Sequence, residues 1–277
     1  MKITVIEPHG FCAGVAGALK KAVGLSSGCE RASSLYCLHE LVHNEIVVDD
    51  LRRRGFVFVE SVGEIPPGST VLFSAHGVSP AVRRAAEKAG LNIVDATCPF
   101  VERVHKAVRD FAACGLDVVV IGNPGHAEVK GIVGEIGKAY VFPELPSSRR
   151  IGVVSQTTMN ADEVGRIVDE LRSRFEVETM AQVCNATKVR QDAVKSFSGD
   201  ALLVLGSANS SNTRRLCEVA RCRTFRAGTM EEVRALDLSG VNELGVTSGA
   251  STPESFFNEA VSALAEKQDT VFTGRKV

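Results

Sequence analysis

Residues 118–129 read VVVIGNPGHAEV: an unbroken aliphatic run, then glycine, asparagine, proline and histidine. An apolar run this short, closed by turn formers, fits a strand covered on both faces, as in a parallel sheet. Outward from it the pattern recurs at 3–6, 70–73, 151–154, 201–205 and 243–246, where the runs lead into GFCAG, SAHG, SQTT, GSANSSN and TSGAST. Amphipathic segments predict helices over 15–23, 79–89, 101–113, 161–175, 187–197, 213–221 and 253–267. Several have start signals: Pro99 near a first helical position, Asn160 before Ala161, and Ser251, Thr252 and Glu254 around Pro253. Strands alternating with helices make the chain α/β with mainly parallel sheets. Ligands bind such sheets beyond the carboxyl ends of the strands, which is where the polar clusters fall.

The chain has 277 residues, 44% hydrophobic and 23% charged, enough for a substantial core and too apolar for disorder. With no tryptophan and 5% aromatic residues, that core is aliphatic and rich in alanine. Lys+Arg 32 against Asp+Glu 33 gives a net charge of −1, which argues against nucleic-acid binding. No apolar run is long enough to span a membrane, and Glu7 interrupts the opening stretch too early for a secretion signal, so a cytoplasmic protein is expected.

Eight cysteines are too few for a disulfide scaffold, leaving buried apolar thiols or metal ligands. Cys12, Cys98 and Cys184 recur at equal intervals, each just ahead of a predicted helix, in GFCAGVAGALKKAV, DATCPFVERVHKAV and QVCNATKVRQDAVKSF. The spacing suggests three similar αβ units, with boundaries at 13–97, 98–183, and 1–12 with 184–277, and thiolates meeting at a pseudo-threefold axis. A helix start offers unpaired N–H groups and partial positive charge that favour a thiolate. Zinc completed by a histidine, or an iron–sulfur cubane with one iron lacking a protein ligand, both suit three thiolates. Cys29, Cys37, Cys114, Cys217 and Cys222 read as structural thiols.

GFCAGV at 10–15, LVHN at 41–44, SAHGVS at 74–79, DATCP at 95–99 and GHAEV at 125–129 resemble, in order, motifs of the 4-hydroxy-3-methylbut-2-enyl diphosphate reductases. SQTT at 155–158, CNAT at 184–187, SANSSNTRRL at 207–216 and TSGAST at 247–252 continue the match. The resemblance implies three αβ domains arranged with pseudo-threefold symmetry around one [4Fe-4S] cluster held by Cys12, Cys98 and Cys184, with one iron open. It implies reductive removal of an allylic hydroxyl, giving isopentenyl and dimethylallyl diphosphate in the last step of the non-mevalonate pathway. His43, His76, His126, Thr157, Ser210, Ser211, Asn212 and Ser251 would bind substrate, with Glu128 as proton donor and Thr157 as its partner. Like charge from the diphosphate and the cluster would keep Glu128 protonated. Ala127 stands where the family often has proline, and Ser248 and Thr252 depart from the last motif. No GxGxxG follows a strand, so electrons come from elsewhere, and the resemblance implies an external donor such as a ferredoxin or flavodoxin.

His39-Glu40-Leu41-Val42-His43 also matches HExxH, a zinc-protease signature that requires a helix through those residues. Two other readings compete: an iron–sulfur sensor or carrier that binds a diphosphate without turnover, for which Glu128 and Thr157 have no use, and a sugar-phosphate enzyme with purely structural cysteines.

Overall fold

The computed structural model describes residues 1–28, 34–266 and 271–273; Cys29 lies outside them. In chain order the strands are β1 (Lys2–Val5), β2 (Leu35–Leu38), β3 (Phe56–Val59), β4 (Thr70–Phe73), β5 (Asn92–Asp95), β6 (Asp117–Ile121), β7 (Tyr140–Val141), β8 (Arg150–Ser155), β9 (Glu176–Met180), β10 (Ala201–Leu205), β11 (Arg223–Ala227), β12 (Glu243–Ser248) and β13 (Val271–Thr273). The helices are α1 (Ala13–Gly28), α2 (Glu45–Arg53), α3 (Pro80–Lys88), α4 (Pro99–Ala113), α5 (Ala127–Val133), α6 (Ala161–Arg172), α7 (Asn185–Ser196), α8 (Ser211–Val219), α9 (Met230–Arg234) and α10 (Glu254–Glu266).

The strands form three sheets, ordered β11-β10-β12-β1-β13, β3-β2-β4-β5 and β7-β6-β8-β9, and every pairing among them is parallel. Apart from the added β13, one four-strand order is repeated three times. The chain is thus α/β, built on three parallel sheets. By internal contacts it separates into two compact units, Met1–Cys12 with His43–Val47 and Asn185–Val277, and Ala13–Val42 with Val48–Cys184. The first contains the five-stranded sheet and the second contains both four-stranded sheets.

Strand β10 shows why the long apolar runs were legible. Leu203 and Leu205 join a core with Phe256 and Phe257 of α10, while Leu202 and Val204 join another with Val194 of α7 and Leu216 of α8. Burial on both faces removes the polar alternation that a one-sided sheet would show. In the third sheet β6 divides the same way, Val119 and Ile121 toward α6, Val118 and Val120 toward α4 and α5. Each such aliphatic side chain, once buried, contributes about 1.5–3 kcal/mol. No helix among the described residues is long and apolar enough to cross a membrane.

Candidate functional site

Strands β1, β5 and β9 occupy equivalent places in their sheets, and each leads into one of the three spaced cysteines. The next residue after each cysteine, Ala13, Pro99 or Asn185, begins a helix. Each cysteine amide donates to the carbonyl two residues beyond the end of the neighbouring strand: Cys12 to Ala250 at 3.1 Å, Cys98 to Ala75 at 3.1 Å and Cys184 to Thr157 at 3.0 Å. The threefold repetition therefore reaches down to single hydrogen bonds. Cys98 is the N-cap of α4, yet its side chain makes no capping bond.

The donor set suits a sulfur-ligated group. Cys12, Cys98 and Cys184 are half-buried thiols in no disulfide, outside the aliphatic cores, at the ends of strands where ligands bind parallel sheets. Burial pushes the Cys37 thiol up to about 12 and that of Cys217 up to about 11, forms that stay protonated and inert, and burial raises Cys222 as well.

In the second unit the loops after β6 and β8 converge. Helix α5 opens with His126 as its N-cap, the ring Nδ1 accepting from the Glu128 amide at 3.2 Å. Ala127 is the first helical residue, a position whose N–H needs no intrahelical acceptor and which suits alanine as well as proline. The Glu128 carboxyl is 2% exposed; Oε1 accepts the Thr157 amide at 2.7 Å, and Oε2 lies 3.1 Å from the Thr157 hydroxyl. Burial, opposed by those two hydrogen bonds, pushes the carboxyl up to about 7, so desolvation by the fold alone favours the neutral acid. Thr157 thus joins two functions, its N–H serving Glu128 and its C=O receiving the Cys184 amide. His76, in the loop after β4, contacts Ser74 at 3.3 Å through Nδ1, and its ring meets that of His126 edge-on with centroids 5.3 Å apart.

In the first unit the loops after β10 and β12 are tied together. Ser210 caps α8 by accepting from the Thr213 amide at 3.3 Å. Ser211 and Asn212 follow in the first turn, both buried, and Asn212 Oδ1 accepts the Ala250 amide at 2.9 Å. Ser251 donates to the His43 carbonyl at 3.2 Å. Just ahead of α10, the Ser251 and Thr252 hydroxyls donate to the carbonyls of His43 and of Leu205 at the end of β10, and Glu254 stands in the first turn of the helix.

The HExxH reading fails on geometry. Residues 39–43 are bends and coil between β2 and α2, and His39 has a positive φ of 60°, so His39 and His43 are not one helical turn apart.

Several supporting residues escaped the motif reading. Ser248, read as a departure, accepts the Gly10 amide at 2.7 Å. Arg190, 4% exposed on α7, donates to the carbonyl of Gly10 at 2.8 Å. The Gln156 side chain accepts the Asn123 amide at 3.1 Å, linking the loops on either side of Glu128. Gln156 and Ser248 lie in quoted motifs, whereas Arg190 acts through a contact that no local pattern announces.

A family model described as LytB protein matches residues 3–265. The 4-hydroxy-3-methylbut-2-enyl diphosphate reductase 2 of Burkholderia mallei is 40% identical over 285 residues, covering 96% of this chain and 86% of the relative. The reductase of the same name from Dechloromonas aromatica is 42% identical, covering 94% of this chain and 90% of its own. Among solved structures, the E-1-hydroxy-2-methyl-but-2-enyl-4-diphosphate reductase of Plasmodium falciparum matches with a TM-score of 0.89 at 30% identity, covering 100% of this chain and 93% of that one. A second, described as (E)-4-hydroxy-3-methyl-but-2-enyl diphosphate reductase, the terminal enzyme of the non-mevalonate pathway, matches with a TM-score of 0.70 at 33% identity, covering 96% of this chain and 99% of that one. Matched by that family model along nearly all of its length, the chain belongs to the LytB protein family.

Proposed function

We propose that the protein is a cytoplasmic oxidoreductase converting (E)-4-hydroxy-3-methylbut-2-enyl diphosphate to isopentenyl and dimethylallyl diphosphate, the last step of the non-mevalonate pathway. Two electrons and two protons enter; the allylic C–O bond breaks, the hydroxyl departs as water, and one carbon of the allylic system takes up the second proton. The observation that carries this reading is the buried Glu128 carboxyl, held by Thr157 and neutral up to about pH 7. Hydroxide is a poor leaving group, and a neutral acid beside it removes that obstacle.

In this reading Cys12, Cys98 and Cys184 hold one [4Fe-4S] cluster, with the three αβ domains, 13–97, 98–183, and 1–12 with 184–277, disposed around it. When bound, the cluster supplies electrons singly and Lewis acidity at an iron without a protein ligand. The remaining work belongs to the chain. His43, His76, His126, Ser210, Ser211, Asn212 and Ser251 orient the diphosphate through ring, hydroxyl and amide donors, in place of a P-loop. The Thr157 hydroxyl, which donates to Glu128 Oε2 at 3.1 Å, is the one side-chain group through which the carboxyl's proton is relayed to the leaving oxygen. Electrons arrive from a small external carrier, a ferredoxin or flavodoxin.

Glu128→Gln tests the assignment. Substrate affinity, measured by calorimetry on cluster-loaded protein without oxygen, should be kept, while turnover with a chemical reductant falls about 100-fold or more. Wild-type turnover in that variant would sink the reading, and binding without turnover in the wild type would favour a sensor or carrier.

A further inference from the structure

The mechanism leaves His105 of α4 unused, although it is 2% exposed. Its Nδ1 lies 2.7 Å from Glu135 Oε1, and Glu135, its side chain 4% exposed, is held from the other side by Arg109 at 2.8 Å. The far edge of the ring points away from this clamp, and its Nε2 has no hydrogen-bond partner. That edge rests on two glycines. A Cβ at Gly77 would come within 3.1 Å of Nε2 and 3.3 Å of Cε1, and one at Gly131 within 3.3 Å of Cε1.

These glycines belong to the elements that carry the histidines. Gly77 follows His76 and closes its turn, the Gly77 amide donating to the Ser74 carbonyl at 3.2 Å with φ at 75°. Gly131 lies one turn beyond His126 and Glu128 on α5. Loop and helix touch again where a Cβ at Gly134 would meet the Ser79 side chain at 2.4 Å. Any change in the thickness of the spacer between them alters the distance between the two histidine rings.

We propose that His105 is a positioning residue for diphosphate recognition: its ring, locked by Glu135, sets the separation at which His76 and His126 present themselves to the anion. This rests on the functional reading above, in which both histidines contact the diphosphate. It concerns binding more than proton transfer, because Glu128 is held by Thr157 and not by His105.

The test is binding of inorganic pyrophosphate to cluster-loaded protein by calorimetry, at a temperature where circular dichroism shows every variant folded. His105→Ala should weaken binding about tenfold and raise KM more than it lowers kcat, as loss of binding shared by ground and transition states does. Gly131→Ala, whose methyl group presses on a ring that cannot yield, should also weaken binding. In the double variant that second penalty should vanish, since the methyl group then occupies space the ring has left. Unchanged affinity in folded His105→Ala, or additive losses, would overturn the proposal. Should His105→Ala not fold, wild-type affinity in Gly131→Ala overturns it alone. Failure of the wild type to bind pyrophosphate would instead remove the functional reading beneath it.

Discussion

Cys98 and Cys12 end on the same backbone hydrogen bond but reach it by different routes. Residues 96–97 turn the chain from β5 to Cys98 with help from their own strand: Asp95 accepts the Thr97 amide at 2.8 Å and its hydroxyl at 2.5 Å. Residues 6–11 cover the longer path from β1 to Cys12 and are braced from elsewhere. Arg190 of α7 holds the Gly10 carbonyl, Ser248 of β12 takes the Gly10 amide, and His9 stacks on Phe257 of α10 with centroids 3.8 Å apart. A short connection organises itself, whereas a long one borrows its rigidity from residues remote in sequence.

The largest expected effect asks whether the three routes deliver equivalent ligands. Cys12→Ser, Cys98→Ser and Cys184→Ser should each abolish turnover and the visible absorption of the loaded protein, while the exposed Cys114→Ser changes neither. Full absorption and turnover in any one of the three would break the equivalence. The third route differs by carrying Thr157 where the others carry Ala75 and Ala250, and Glu128→Gln probes what that adds. Beyond its effect on turnover it should alter stability. A carboxyl raised to about 7 stabilises the fold fully below its unfolded value near 4.5 and loses that contribution as pH rises through 7. Thermal melts should therefore show the glutamine variant gaining on the wild type by about 1 kcal/mol between pH 6 and pH 8.

The two bracing strategies separate further in smaller effects. Arg190→Met should lower unfolding stability by about 2–3 kcal/mol, since it strips charged donors from buried carbonyls, and should reduce iron content through the Cys12 loop. Asp95→Asn should cost about 1 kcal/mol. Although burial opposes it, the hydrogen bonds from Thr97 and Arg83 hold the Asp95 carboxyl below its ordinary value. Its contribution is therefore present at neutral pH and disappears as the medium is acidified, so wild type and Asp95→Asn should converge in acid melts. A larger loss at Asp95 than at Arg190 would reverse the ranking of the two loops.

The difference between regions also explains what was legible in the sequence. The strands anticipated at 70–73, 118–121, 151–154, 201–205 and 243–246 all have a partner strand on each side, where burial on both faces writes a continuous apolar run. Strands β9 and β11, EVETM and RTFRA, close their sheets and are interrupted by charged and polar residues, so no such run marks them. Asn160 capped α6 and Pro99 opened α4 as their local chemistry predicted. The motifs brought forward Glu128, Thr157, His76 and His126, which the second unit does bring together. Arg190 and His105 were invisible because their meaning lies in what they touch: two carbonyls near Cys12, and two glycines on separate elements.

Strand β1 pairs with β12 and β13, so an early strand completes a sheet whose other strands follow it by about 200 residues or more. The carbonyl that receives the Cys12 amide belongs to Ala250, just beyond β12. Both four-stranded sheets use only residues between Leu35 and Met180 and can form during synthesis. In the proposed reading, loading of a centre through all three thiols therefore waits for β12, and a chain truncated before it should lack the hydrogen bond that sets Cys12.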